Sequence, residues 1–152
     1  MDDLIRLNRS IAVHWLGVLD SDHEAYLSYA PVCLGQLLHS PAELAEVAGC
    51  TKLRQHNCLS VAQLNRQYLR FARLAAKDVA AGKLEMLIKL GITVDQAEVL
   101  GNLNDEALTR LAFGWDGPIM QFARQAFERG VALHVRAAKH HATAFVATRL
   151  AI

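Results

Sequence analysis

The sequence predicts an all-α fold, on three observations. Residues of apolar type make up 53 % of the 152-residue chain, and many of them are Ala and Leu. β-branched residues are few and never alternate over a strand-length run. From Ser60 to Leu90 there is no Pro, most residues are good helix formers, and Gly91 closes the stretch.

That stretch is expected to be one long helix. Val61, Leu64, Tyr68, Phe71, Leu74, Ala75, Val79, Leu84, Leu87 and Ile88 recur three or four apart, with Arg66, Arg70, Arg73, Lys77, Lys83 and Lys89 between them. It would span roughly 45 Å at about 1.5 Å per residue. A helix of that length in a short chain packs against a second copy or a partner as well as its own fold.

The remaining elements follow in order. Residues 3–19 read as a first helix with Leu4, Leu7, Ile11, Trp15, Leu16 and Val18 as its apolar stripe. Asp20-Ser21-Asp22 breaks it and caps a second helix over residues 23–38, which Pro31 should kink or split. Ser40-Pro41-Ala42-Glu43 is a strong helix start, a capping box with Pro at the first helical position, and Gly49 stops that helix. Residues 50–59 are polar and read as a connection. They divide an N-terminal helical extension, 1–59, from a main helical domain, 60–152.

Beyond the long helix, Thr93 and Gln96 form a second capping box, and Asn104 caps a helix over residues 105–113. Gly114 to Pro118 reads as a turn, with Pro118 opening the next helix and Gly130 bending it before a last one. The pair of short helices resembles a helix-turn-helix in outline. Asp105 and Glu106 stand where a recognition helix meets the groove, so the pair reads as scaffold. Leu7-Asn8-Arg9 and Leu64-Asn65-Arg66 hint at a weak internal repeat.

Net charge is +1, unevenly placed. Residues 1–59 hold four basic against seven acidic residues, and residues 60–152 hold twelve against eight. From Gln121 onward there are five basic residues, one acid and three histidines. A local basic tail points to a polyanion or an acidic partner. Arg124, Arg129, Arg136, Lys139, His140, His141 and Arg149 form this set. Arg129, Arg136 and His140 would share one face of an unbroken helix, as phosphate contact requires. Adjacent positions such as His140 and His141 diverge by about 100° and cannot chelate one ion together.

Other chemistry finds little support. No GxSxG, P-loop, HExxH or GxGxxG occurs, and the acids are dispersed, so no enzyme, catalytic residue or cofactor is expected. Cys50, His56 and Cys58, with Cys33 or His39, do not match zinc-ligand spacing; buried thiols beside a surface histidine is the plainer reading, and no metal is expected. Three cysteines without a CxxC pair suit free thiols in a reducing compartment. The acidic start is unlike a signal peptide, and no apolar run reaches about 18 residues, so a cytoplasmic protein is expected.

The ordered set Leu64-Asn65, Tyr68-Leu69, Leu90-Gly91-Ile92, Ala97, Leu100, Leu108 and Leu111-Ala112 resembles the FlhD family, the small subunit of the bacterial flagellar master regulator. His141, Thr148, Arg149 and Leu150 in the ending HHATAFVATRLAI are similar to the end of that family's chain. The resemblance covers residues 60–152. It implies an FlhD-like helical bundle that forms a homodimer, joins an FlhC-like larger subunit, binds promoter DNA and recruits RNA polymerase. It further implies activation of flagellar genes or, in relatives on conjugative elements, of transfer genes. The flagellar form links its dimer through a cysteine near the position of Met120. No cysteine follows Cys58 here, so that link is not expected.

The sequence thus yields two functional expectations. The first is a DNA-binding activator subunit that contacts DNA through Arg129, Arg136, Lys139, His140 and His141. Leu64, Tyr68, Phe71, Leu74, Leu87 and Leu90 would form its core and dimer or partner interface. The second is a helical adaptor or anti-regulator that binds a protein partner without touching DNA.

Overall fold

The computed structural model describes residues 2–50 and 57–150, with side chains through His140. The fold is mostly helical. Its elements are α1 (Asp2–Leu16), α2 (Ser21–Leu27), β1 (Gly35–Gln36), α3 (Pro41–Gly49), α4 (Leu59–Ala80), α5 (Glu85–Leu90), α6 (Val94–Gly101), α7 (Asp105–Gly114), β2 (Gln121–Phe122) and α8 (Arg124–Leu150).

The central element is α4, but it is shorter than expected. The anticipated helix to Leu90 breaks after Ala80. Gly82 sits at φ +80°, its N–H donates to Val79 O, and Lys83 N–H donates to Asp78 O. This paired closure caps the last carbonyls of α4, and glycine adopts the left-handed conformation without a Cβ penalty. The same closure recurs where Gly91, at φ +65°, ends α5 and Ile92 N–H returns to Leu87 O. The buried stripe of α4 is Ala62, Leu64, Asn65, Tyr68, Leu69, Ala72, Ala75 and Ala76. Its alanines let α6 approach closely: a Cβ on Gly101 would lie 3.3 Å from the Ala76 Cβ.

The short helices are fixed by their caps. Asp20, Ser40, Thr93 and Asn104 each accept an N–H from the first turn of α2, α3, α6 and α7. Gln96 goes further. Its Oε1 accepts from Thr93 N–H, while its Nε2 donates to Leu37 O at 3.1 Å and His39 O at 2.7 Å. The side chain that caps α6 therefore also holds the loop before α3.

Residues 1–59 and 60–152 share one core. Leu4, Leu7, Ile11, Leu34 and Leu44 belong to the same buried cluster as Tyr68, Leu100, Leu111 and Phe127. Each fully buried Leu or Ile contributes about 2 kcal/mol by removal from water.

Four further expectations are corrected. The second helix ends at Leu27, and Pro31 lies in an irregular segment instead of kinking a helix. Pro31 has no N–H to donate and disfavours helix at Ala30; Cys33 N–H then donates to Lys89 O. Pro118 does not open a helix. The chain bends at Ile119 and Met120 before entering β2, and α8 begins at Arg124. Nor does Gly130 divide the last segment, because α8 passes through it unbroken. A Cβ there would overlap the Tyr26 ring, so glycine gives that ring room against α8. The first helix also stops at Leu16, with Gly17 at φ +77°, leaving Val18 exposed.

β1 and β2 pair antiparallel, Gly35 opposite Phe122 and Gln36 opposite Gln121. Each strand is delivered by a buried asparagine. Asn8 Nδ2 donates to Val32 O at 2.9 Å, and its Oδ1 accepts from Leu34 N–H at 2.8 Å. Asn65 Nδ2 donates to Gly117 O at 3.0 Å, and its Oδ1 accepts from Ile119 N–H at 2.7 Å. Val32, Leu34 and Gln36 thus correspond to Gly117, Ile119 and Gln121. Gln36 and Gln121 face each other, so the ladder lies on a local pseudo-two-fold axis. The repeated Leu-Asn-Arg of α1 and α4 is its sequence trace. The symmetry is broken where Gly35 corresponds to Met120: a Cβ on Gly35 would lie 2.7 Å from Met120 Cγ, so glycine makes space for the methionine.

Candidate nucleic-acid interface

α8 carries the basic set, and its first turns anchor it. Phe127 is 1 % exposed and packs against the rings of His23, Tyr26 and Phe122 at 5.2, 5.7 and 5.5 Å. Ala123 N–H donates to Leu34 O at 2.8 Å, fixing the entry from β2. About two turns further, His134 stacks on Tyr29 at 5.4 Å. Phe127, Gly130, Val131 and His134 therefore form the inward face of α8, at helical spacing.

The opposite face is open. Arg129, Leu133, Arg136 and His140 follow one another at i, i+4, i+7 and i+11, and all four are exposed. From Arg129 to His140 this stripe extends about 16 Å along the axis. Lys139 is exposed beside it, about 60° around the helix from Arg136 and about 100° from His140. Arg124 and Glu128 are exposed on the first turns. Arg129 and Arg136 enter none of the ion pairs among the described residues. The unbroken helix brings Arg129, Arg136 and His140 onto one face, as their spacing requires. The side chains of His141 and Arg149 lie outside the described residues.

The other expected interface residues divide. Leu64, Tyr68, Leu87 and Leu90 are buried in the chain's own core, whereas Phe71 is half-buried and Leu74 is 61 % exposed. Only Phe71 and Leu74 of that set present apolar surface outward. Ile88 and Leu84, also in the expected apolar pattern, are exposed.

The short helix pair packs against the central helix. α6 and α7 both pack on α4, and α7 also packs on α3. Asp105 at the start of α7 is bonded to Arg73 at 2.8 Å, and that guanidinium holds its carboxyl below the usual range. Arg73 also donates to Leu103 O, so this cation of α4 ties the turn between α6 and α7.

The cysteines differ from the expected buried pair. Cys33 is buried, and burial pushes its thiol up to about 11. Cys50 and Cys58 are exposed, because one follows α3 and the other precedes α4 at the ends of the polar connection. A hydrogen bond from Ser60 lowers the Cys58 thiol. Among the described residues no group of three or more His, Cys, Asp or Glu is placed to hold a metal ion. His56 lies outside them.

Fold and surface together define a class: a mostly helical protein whose last helix turns a basic face outward. Among the described residues no helix is long and apolar enough to cross a membrane. Comparison with known proteins gives no match to a family model, a curated protein or a solved structure.

Proposed function

We propose that this chain is a DNA-binding transcriptional activator subunit of FlhD type. It acts in a cytoplasmic complex with an FlhC-like larger subunit, which recruits RNA polymerase to flagellar or conjugative-transfer promoters. The observation that carries the reading is the outward face of α8, where Arg129, Arg136 and His140 are exposed in line. Cations in line along a helix suit a phosphate backbone, and such contacts position a protein before any base is read. A homodimer belongs to the same reading.

A second reading, an adaptor that binds protein alone, has one observation in its favour. Leu133 stands within the basic stripe and is 63 % exposed. An apolar side chain gains nothing from phosphate but gains from a protein surface.

The two readings part in a gel shift. The chain is produced with the product of the adjacent gene, and duplex DNA from the upstream promoter is added. The activator reading expects a shift by the complex that Arg136→Ala with Lys139→Ala weakens. The adaptor reading expects a protein complex that leaves the DNA unshifted.

A further inference from the structure

A groove of about 420 Å³ lies between α1 and α4, remote in sequence from α8. Arg6 lines it from α1, and Arg66 and Arg70 from α4. All three are exposed, and none enters an ion pair among the described residues. Among the described residues Asp3 is the one carboxylate in its lining, so the charge is cationic. The groove also holds apolar surface: Phe71 is half-buried and Leu74 is 61 % exposed. Gln63, Arg66, Gln67, Arg70 and Leu74 occupy one face of α4 at three- and four-residue spacing, over about 16 Å.

We propose that this groove docks an acidic amphipathic helix from a partner protein. Its leucine-type stripe lies on Phe71 and Leu74, and its carboxylates meet Arg6, Arg66 and Arg70. The argument is one of complementarity. Three guanidinium groups that enter no ion pair among the described residues offer two-pronged hydrogen bonding to carboxylates. About 16 Å accommodates three turns of helix, the usual length for recognition through i, i+3/i+4 and i+7 anchors. Nucleic acid suits the surface less well, since a phosphate backbone has nothing to place on Phe71 and Leu74. The inference stands apart from the reading of α8 and does not depend on it.

The test uses the full chain and three fluorescein-labelled probes. These are a 14-residue Glu/Leu/Ala peptide with Leu at i, i+4 and i+7 and Glu flanking them, a scrambled peptide of equal composition, and a 20-base-pair duplex. Fluorescence anisotropy reads binding, and circular dichroism checks the fold of each variant. The patterned peptide is expected to bind, with the scrambled one roughly tenfold weaker. Arg66→Glu with Arg70→Glu should lower its affinity at least roughly tenfold. Leu74→Ala, a milder change at an exposed position, should lower it by about three- to tenfold. Equal binding of the scrambled peptide would overturn the proposal. So would affinity indifferent to the arginine pair and to Leu74, or a duplex that responds to the arginine pair where the peptide does not bind.

Discussion

Asn8 and Asn65 perform the same task from two different helices. Each is fully buried, and each clamps the irregular segment before a strand by giving its Nδ2 to one carbonyl and taking the N–H two residues further on. Asn65 also donates to Ala112 O at 3.1 Å, joining the end of α7 to the same clamp. Asn57 bonds Ala112 O, Trp115 O and Gly117 N–H in the same loop.

Removing the clamp leaves buried groups without partners. Asn65→Ala should cost about 3 kcal/mol, because a buried polar group left unsatisfied costs roughly 1–3 kcal/mol. Asn8→Ala, with one fewer bond, should cost about 2 kcal/mol. Urea unfolding of the two variants measures both. Equal, negligible losses would mean the loops hold their course without the amides.

Tyr68 presents the reverse case. Its hydroxyl is buried and has no hydrogen-bond partner among the described residues. Tyr68→Phe keeps the ring and removes the unsatisfied oxygen. It should leave stability unchanged or raise it by about 1 kcal/mol. A loss above about 1 kcal/mol in the same urea assay would show that the hydroxyl is satisfied.

Stability should fall in alkali. Cys33 titrates near 11 in the folded chain, against an ordinary value of 9.0. The neutral thiol is the form that burial favours, so the folded state keeps its proton where the unfolded state loses it. The stabilisation is complete below pH 9 and is lost as pH rises towards 11, at about 1.4 kcal/mol per pH unit. Burial raises the Tyr68 hydroxyl too, which adds a loss of the same sign above about pH 10. Cys33→Ala should flatten the dependence between pH 9 and 10, and an unaltered slope there would assign it to other groups.

Gly130 and Tyr26 should be coupled. Alanine stabilises a helix interior by about 1 kcal/mol over glycine, but at position 130 its Cβ would meet the Tyr26 ring. Gly130→Ala should therefore give little gain in the native background and about 1 kcal/mol in a Tyr26→Ala background. Thermal melts of the four-member cycle read the difference. Equal effects in both backgrounds would separate the two residues.

These relationships also show what the sequence carries. Ser40 with Glu43, Thr93 with Gln96, and Asn104 are legible because a cap acts within one turn of its own helix. The break at Gly82 is not. Ala80-Ala81-Gly82-Lys83 suits a continuing helix as well as a closed one, and tertiary packing decides. The non-helical path through Pro118 to β2 is held by Asn65 in a distant helix, so local turn signals point wrongly to a helix start. Gly130 is visible as a glycine, but its reason is the Tyr26 ring from α2. For the candidate site, spacing gives the common face of Arg129, Arg136 and His140, while exposure of that face comes from the packing of Phe127. Arg6 meets Arg66 and Arg70 only because α1 folds against α4, and no spacing in the chain relates them.

The most direct measurement is the salt dependence of promoter-DNA binding by the proposed complex of this chain with an FlhC-like subunit. Neutralising two phosphate contacts should flatten the plot of log affinity against log salt by about 1.8. Arg129→Ala with Arg136→Ala is the variant that removes them. A slope reduced by about that amount, with the complex still assembled, is the result expected if α8 lies on DNA. An assembled complex whose affinity and slope both stay at the native values would contradict that role for α8.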